Sequence, residues 1–186
     1  MIHKGTVRLE TDRLILRRFT VDDAQAMYDN WASDPEVTRY LSWHPHRDVG
    51  ETTEILRTWV NSYDFKNYYS WGIELKEGSV LIGSIGSVEG RDNIRMVHIG
   101  YCIGKAWWHQ GYVSEALARL IRFFFDEAGA NRIESCHEPA NVHSGDVMKK
   151  CGMRFEGVHR QAIYKPDGPF VDACYYAILA EDYRCL

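Results

Sequence analysis

The feature that most constrains this chain is one unbroken passage from apolar segment to glycine turn to amphipathic helix. Residues 97–103 alternate like a strand, and residues 104–111, bracketed by Gly104 and Gly111, read as a turn. Over 114–128 the apolar positions recur at helical spacing. A strand that enters a helix through such a turn leaves backbone N–H groups without partners at the helix N-terminus. The positive end of the helix dipole lies behind them. That is a site for an anion, and a pyrophosphate fits it. A P-loop needs Gly-Lys-Ser/Thr after its glycines; here Gln110-Gly111-Tyr112 offers neither the phosphate lysine nor the magnesium hydroxyl.

The chain has 186 residues, 45% hydrophobic and 26% charged, so a single folded domain over 1–186 is expected. Its formal net charge of −4 argues against a nucleic-acid-binding surface and suits a cationic acceptor. No apolar run reaches bilayer length and residues 1–10 lack a signal-peptide core, so a cytoplasmic protein with no membrane partner is expected. The cysteines (Cys102, Cys136, Cys151, Cys174 and Cys185) are odd in number and include no C-x-x-C pair. Neither a disulfide framework nor a metal site is therefore expected.

Residues 13–19 read as a strand, followed by a capping box over 20–23 and a helix carrying Ala24, Met27, Tyr28 and Trp31. Asp34-Pro35 breaks that helix. A short helical piece over 35–41, a loop around His44 and His46, and an amphipathic helix over 51–63 come next. Strands over 69–75, 80–88 and 94–103 form a meander joined at 76–79 and 90–93. Gly129 caps the helix that follows the glycine turn. A strand over 132–137, reached by a crossover helix, should pair parallel to 94–103. A helix from about 139 to 151 and a closing hairpin of 153–164 with 170–183, turning at 165–169, complete the chain.

Two stretches carry a family resemblance. Residues 97–103 together with Trp107-Trp108-His109-Gln110-Gly111-Tyr112-Val113-Ser114-Glu115-Ala116-Leu117 resemble the acetyl-CoA motif of the GNAT N-acetyltransferases, usually written Arg/Gln-x-x-Gly-x-Gly/Ala. Here Trp108 and Val113 stand at its first and last positions. Leu9 to Arg17, Arg132-Ile133-Glu134, Pro139-Ala140-Asn141, Ser144 and the run from Lys150 to Arg160 are similar to the branch that acetylates the N-termini of ribosomal proteins.

The resemblance implies an α+β (mixed α/β) GNAT fold. Its sheet would have about seven strands, mostly antiparallel around a central parallel pair, flanked by about four helices. It implies acetyl-CoA as co-substrate, no metal, a monomer or homodimer, and direct acetyl transfer to a primary amine without an acyl-enzyme. A protein N-terminal α-amine of ribosomal type is the first acceptor. The alternatives are a small-molecule amine (polyamine, aminoglycoside or amino acid) or a non-catalytic CoA-binding sensor.

The same resemblance distributes roles. His109, Gln110, Gly111, Tyr112, Val113 and Ser114 would surround the pyrophosphate. The backbone of Cys102, Ile103 and Gly104 would pair with pantetheine, with the Ile103 N–H facing the thioester oxygen. Asn141 would bind the pantetheine arm, and Ser144 would hydrogen-bond the sulfur and help protonate the departing thiolate. His98 stands where the family often has a glutamate base; an imidazole with an ordinary pKa of about 6.5 can do that task. Glu138 is the alternative base. Cys102 as a nucleophile has no assigned partner to activate it.

Overall fold

A computed structural model describes residues 1–166 and 168–185. Its eight strands form one sheet in the order β1-β2-β3-β4-β5-β6-β8-β7. They are β1 (Leu9–Glu10), β2 (Leu14–Arg17), β3 (Ser70–Leu75), β4 (Leu81–Arg91), β5 (Met96–Ile103), β6 (Arg132–His137), β7 (Arg154–Ile163) and β8 (Val171–Leu179). Every neighbouring pair is antiparallel except β5 with β6. The mixed α+β architecture with a central parallel pair is thus as expected. The count rises from seven to eight because Leu9–Glu10 pairs with β2 as a separate short strand.

Three helices lie between β2 and β3: α1 (Ala24–Met27), which widens into a π turn at Tyr28–Ala32, α2 (Pro35–Thr38) and α3 (Val49–Ser62). Asp34 caps α2 and Asp48 caps α3, each carboxylate accepting a backbone N–H of the first turn. α4 (Tyr112–Arg122) follows the glycine turn and α5 (Val142–Lys150) follows β6. The strand expected to run to 183 ends at Leu179, where the chain turns into α6 (Ala180–Tyr183). In the turn expected at 165–169, Asp167 lies outside the described residues.

The sheet separates two apolar layers. On one side Trp71, Ile99, Leu117, Leu120, Phe123 and Phe124 bury the inner face of α4. On the other, Phe19, Met27, Trp31, Leu56 and Leu81 join α1 and α3 to the sheet. Side chains alternate along β5, so Tyr101 and Ile103 pack with the α4 layer and Cys102 with the α1–α3 layer. The strand before the glycine turn therefore touches both halves of the molecule.

Candidate active site

The glycine turn and α4 form one end of a cleft of about 410 Å³. His109 and Gly111 take left-handed backbone conformations (φ 59° and 79°). The first bond of the helix runs from Glu115 N–H to Gly111 O at 3.0 Å. The N–H groups of Tyr112, Val113 and Ser114 therefore have no intrahelical acceptor. Glu115 braces the turn from below: it accepts from Thr11 and from Arg13, whose guanidinium stacks on Tyr112 and donates to Gln110 O. A β-carbon built at Gly111 would lie 3.7 Å from both the Arg13 guanidinium and Lys150 Nζ, so two cations flank the open backbone. This fits a pyrophosphate in charge and in donors. Val113 is buried against the α4 layer and also lines the cleft.

The middle of the cleft is a gap in the sheet. β5 and β6 pair from Met96↔Arg132 only as far as His98↔Glu134. On the other side of β5, Gly104 N–H donates to Ile82 O at 2.9 Å. The antiparallel register then directs the backbone groups of Gly104 and Cys102 toward β4, and those of Ile103, Tyr101 and Ile99 toward β6. Ser135 Oγ donates to Ile99 O at 2.7 Å and the Trp108 indole donates to Ile103 O at 2.9 Å. The Ile103 N–H and the Tyr101 backbone point into the gap. This corrects one expectation: the backbone groups of Cys102 and Gly104 serve the sheet, and the cleft-facing pair is Tyr101 and Ile103. Gly104 is needed for packing, since a β-carbon there would meet Asn30 O at 2.2 Å. The Cys102 thiol is 3.3 Å from Ser84 Oγ, and burial pushes its pKa up, against a nucleophilic role.

Asn141 and Ser144 line the opposite wall. Asn141 occupies the N-cap position of α5, yet its side chain makes no capping hydrogen bond. Ser144 Oγ lies 3.0 Å from Tyr101 Oη, and Tyr101 also donates to Ser144 O at 2.9 Å. Burial holds the Tyr101 phenol well above its ordinary pKa, so it keeps its proton. Tyr101 is a site residue that sequence reasoning missed, as are Arg13 and Lys150 beside Gly111. The signal for Tyr101 was a hydroxyl among Val97, Ile99 and Ile103 on an otherwise apolar strand face.

His98 is placed elsewhere. It does not line the cleft; its Nδ1 is 3.3 Å from Glu134 Oε1, and its ring meets Tyr175 edge-on. Burial works against the charged imidazole, but Cys136 and Glu134 outweigh it and raise its pKa to about 9. Glu134 is held down to about 2, chiefly by the His98 hydrogen bond and despite burial, with Arg132 adding to the effect. Arg132 continues the chain of charges to Glu156. The geometry gives His98 no place beside the acceptor, since its imidazole lies outside the cleft and is paired with Glu134. Glu138, the alternative, is paired with Lys165 at 2.5 Å.

Among the described residues no group of three or more His, Cys, Asp and Glu is placed to hold a metal ion. No helix among them is long and apolar enough to cross a membrane.

A family model described as an acetyltransferase (GNAT) domain matches residues 13–154. The uncharacterized N-acetyltransferase YoaA of Bacillus subtilis is 34% identical over 171 residues, covering 92% of this chain and 96% of that one. The [Ribosomal protein uS5]-alanine N-acetyltransferase of Escherichia coli is 27% identical over 183 residues, covering 95% and 93%. Among solved structures, a GNAT-family acetyltransferase from Bacillus anthracis superposes with a TM-score of 0.83 at 26% identity, over 94% of this chain and 99% of that one.

Proposed function

Because the chain belongs to the GNAT family of acetyltransferases, we propose that it moves an acetyl group from acetyl-CoA to a primary amine, in the first place a protein N-terminal α-amine. The observation that carries this reading is the gap between β5 and β6. There one strand N–H (Ile103) and a pair of hydroxyls (Tyr101 and Ser144) face each other across a cleft that ends on an anion site. The uS5-alanine enzyme of Escherichia coli, 27% identical along nearly the whole chain, favours an α-amine of the ribosomal type as acceptor. A small-molecule amine is the second reading, and the net charge of −4 suits either.

In this proposal the N–H groups of Tyr112, Val113 and Ser114, with Lys150, hold the pyrophosphate of acetyl-CoA. The Tyr101 and Ile103 backbone and the Asn141 side chain hold the pantetheine arm. The Ile103 N–H stabilises the oxygen as the amine adds to the thioester carbonyl. Ser144, beside the Tyr101 phenol, passes its hydroxyl proton to the sulfur as it leaves, and the proton the nitrogen gives up through water restores the Ser144 hydroxyl. An α-amine has an ordinary pKa of about 7.7–8.0, so much of it is neutral near pH 8, and the one proton its nitrogen loses on forming the amide can go to water without a strong base. Thermal denaturation tests the co-substrate: CoA should raise the melting temperature and ATP at the same concentration should not, because no phosphate lysine follows Gly111 in the manner of a P-loop. Protection by ATP alone would overturn the assignment.

A further inference from the structure

Lys165, in the connection between β7 and β8, reaches across the molecule to three acceptors. Its Nζ lies 2.7 Å from Arg39 O, 3.3 Å from Leu41 O and 2.5 Å from Glu138 Oε1. The Lys165 and Glu138 side chains are only 16% and 11% exposed. Lysine is rarely this buried, and fixing its long side chain costs conformational entropy. An ammonium has three N–H donors, and here three acceptors converge on it.

The acceptors come from two separate stretches, both at the cleft. Leu41 lines it directly. Glu138 accepts the Asn141 N–H through its backbone oxygen at 2.8 Å, and Asn141 is also cleft-lining. Leu41 shares the cleft lining with its neighbour Tyr40, and the cations beside Gly111 are a different pair, Arg13 and Lys150. The chain thus places its own primary ammonium, the charged form of the very group the reaction consumes, in a fitted site beside the cleft.

We infer that the Arg39 and Leu41 carbonyls and the Glu138 carboxylate form an entry site for the ammonium form of the acceptor amine, occupied in the resting chain by Lys165. The acceptor displaces Lys165, is held there as the cation, and passes into the cleft once neutral. The inference rests on the acetyltransferase reading above. It adds a substrate class, aliphatic primary amines that are charged at neutral pH, and it gives Glu138 a binding role in place of a basic one.

The test uses Lys165→Met, which keeps the bulk of the side chain and removes its ammonium. KM for a primary alkylamine acceptor at pH 7 should fall several-fold with kcat retained. KM for an arylamine, uncharged at that pH, should not move. Adding Glu138→Gln should cancel the gain. Independently of turnover, methylammonium should raise the melting temperature of Lys165→Met, and tetramethylammonium, which has no N–H donor, should not. An unchanged or raised alkylamine KM in Lys165→Met makes Lys165 a structural tie and overturns the inference, as does equal stabilisation by the two cations. If no amine is acetylated by any variant, the acetyltransferase reading itself fails, and the cation pair still decides for or against the site.

Discussion

His98 and Glu134 form a charge pair whose contribution can be separated from catalysis by pH. The folded His98 pKa, about 9, lies above its ordinary value near 6.5. The stabilisation is therefore complete below about pH 6.5 and is lost as the pH rises through about 9. For His98→Gln the melting temperature should sit a few degrees below that of the parent at pH 6, with the gap closing by pH 10. About 1 kcal/mol moves the melting temperature of a chain this size by roughly 2–4 °C. A gap that stays constant across that range would contradict the charged pair. The sequence could not reveal this partner, because Glu134 lies 36 residues away and only the register of a parallel pair brings the two together. Ser144 was picked out by the family resemblance, and its helical face, shared with Val147, Met148 and Cys151, followed from spacing. Its hydroxyl partner Tyr101 was not picked out, because strand alternation assigned that position to the core.

At the scale of elements, the seating of α5 on β6 sets where Ser144 stands. Gly145 makes that contact: a β-carbon there would lie 2.5 Å from His137 Nε2. Gly145→Ala must displace the His137 ring or lift α5 from the strand, and overpacking of this kind costs about 1–3 kcal/mol. Because Ser144 is the adjacent residue, kcat should fall further than the loss of folded protein explains, and His137→Ala in the same chain should restore part of both. Normal turnover by the folded fraction of Gly145→Ala would show that this packing does not set the site. β6 was read from the sequence with its limits intact, between the Gly129 cap and Pro139. β5 was read two residues long, because Asp92–Ile94 forms a short 3-10 turn ahead of it. The insertion of β8 between β6 and β7 was beyond reach, as periodicity says which face a residue takes and not which strand it neighbours.

At the scale of the whole molecule, the sheet holds two apolar layers apart, and the end of the β5–β6 pairing opens a passage between them. The cations beside Gly111 come from Arg13, just ahead of β2, and from Lys150 at the end of α5, while Tyr40 and Leu41 of the α2–α3 connection also line the cleft. The order of strands and helices and the crossover that makes β5 and β6 parallel were legible from local patterns, and the α+β class from the family resemblance. The Lys165 contacts to Arg39 and Leu41 were not, because they join positions more than 120 residues apart. The most direct test of the account is a single mass-spectrometric assay, in which acetyl-CoA is incubated with peptides bearing free N-termini and with small primary amines. The account predicts addition of one acetyl group to an amine nitrogen, with release of CoA, and a drop in kcat on the order of 10² for Ser144→Ala with the acetyl-CoA KM nearly unchanged. CoA binding without acetylation of any amine, or full turnover by Ser144→Ala, would contradict it.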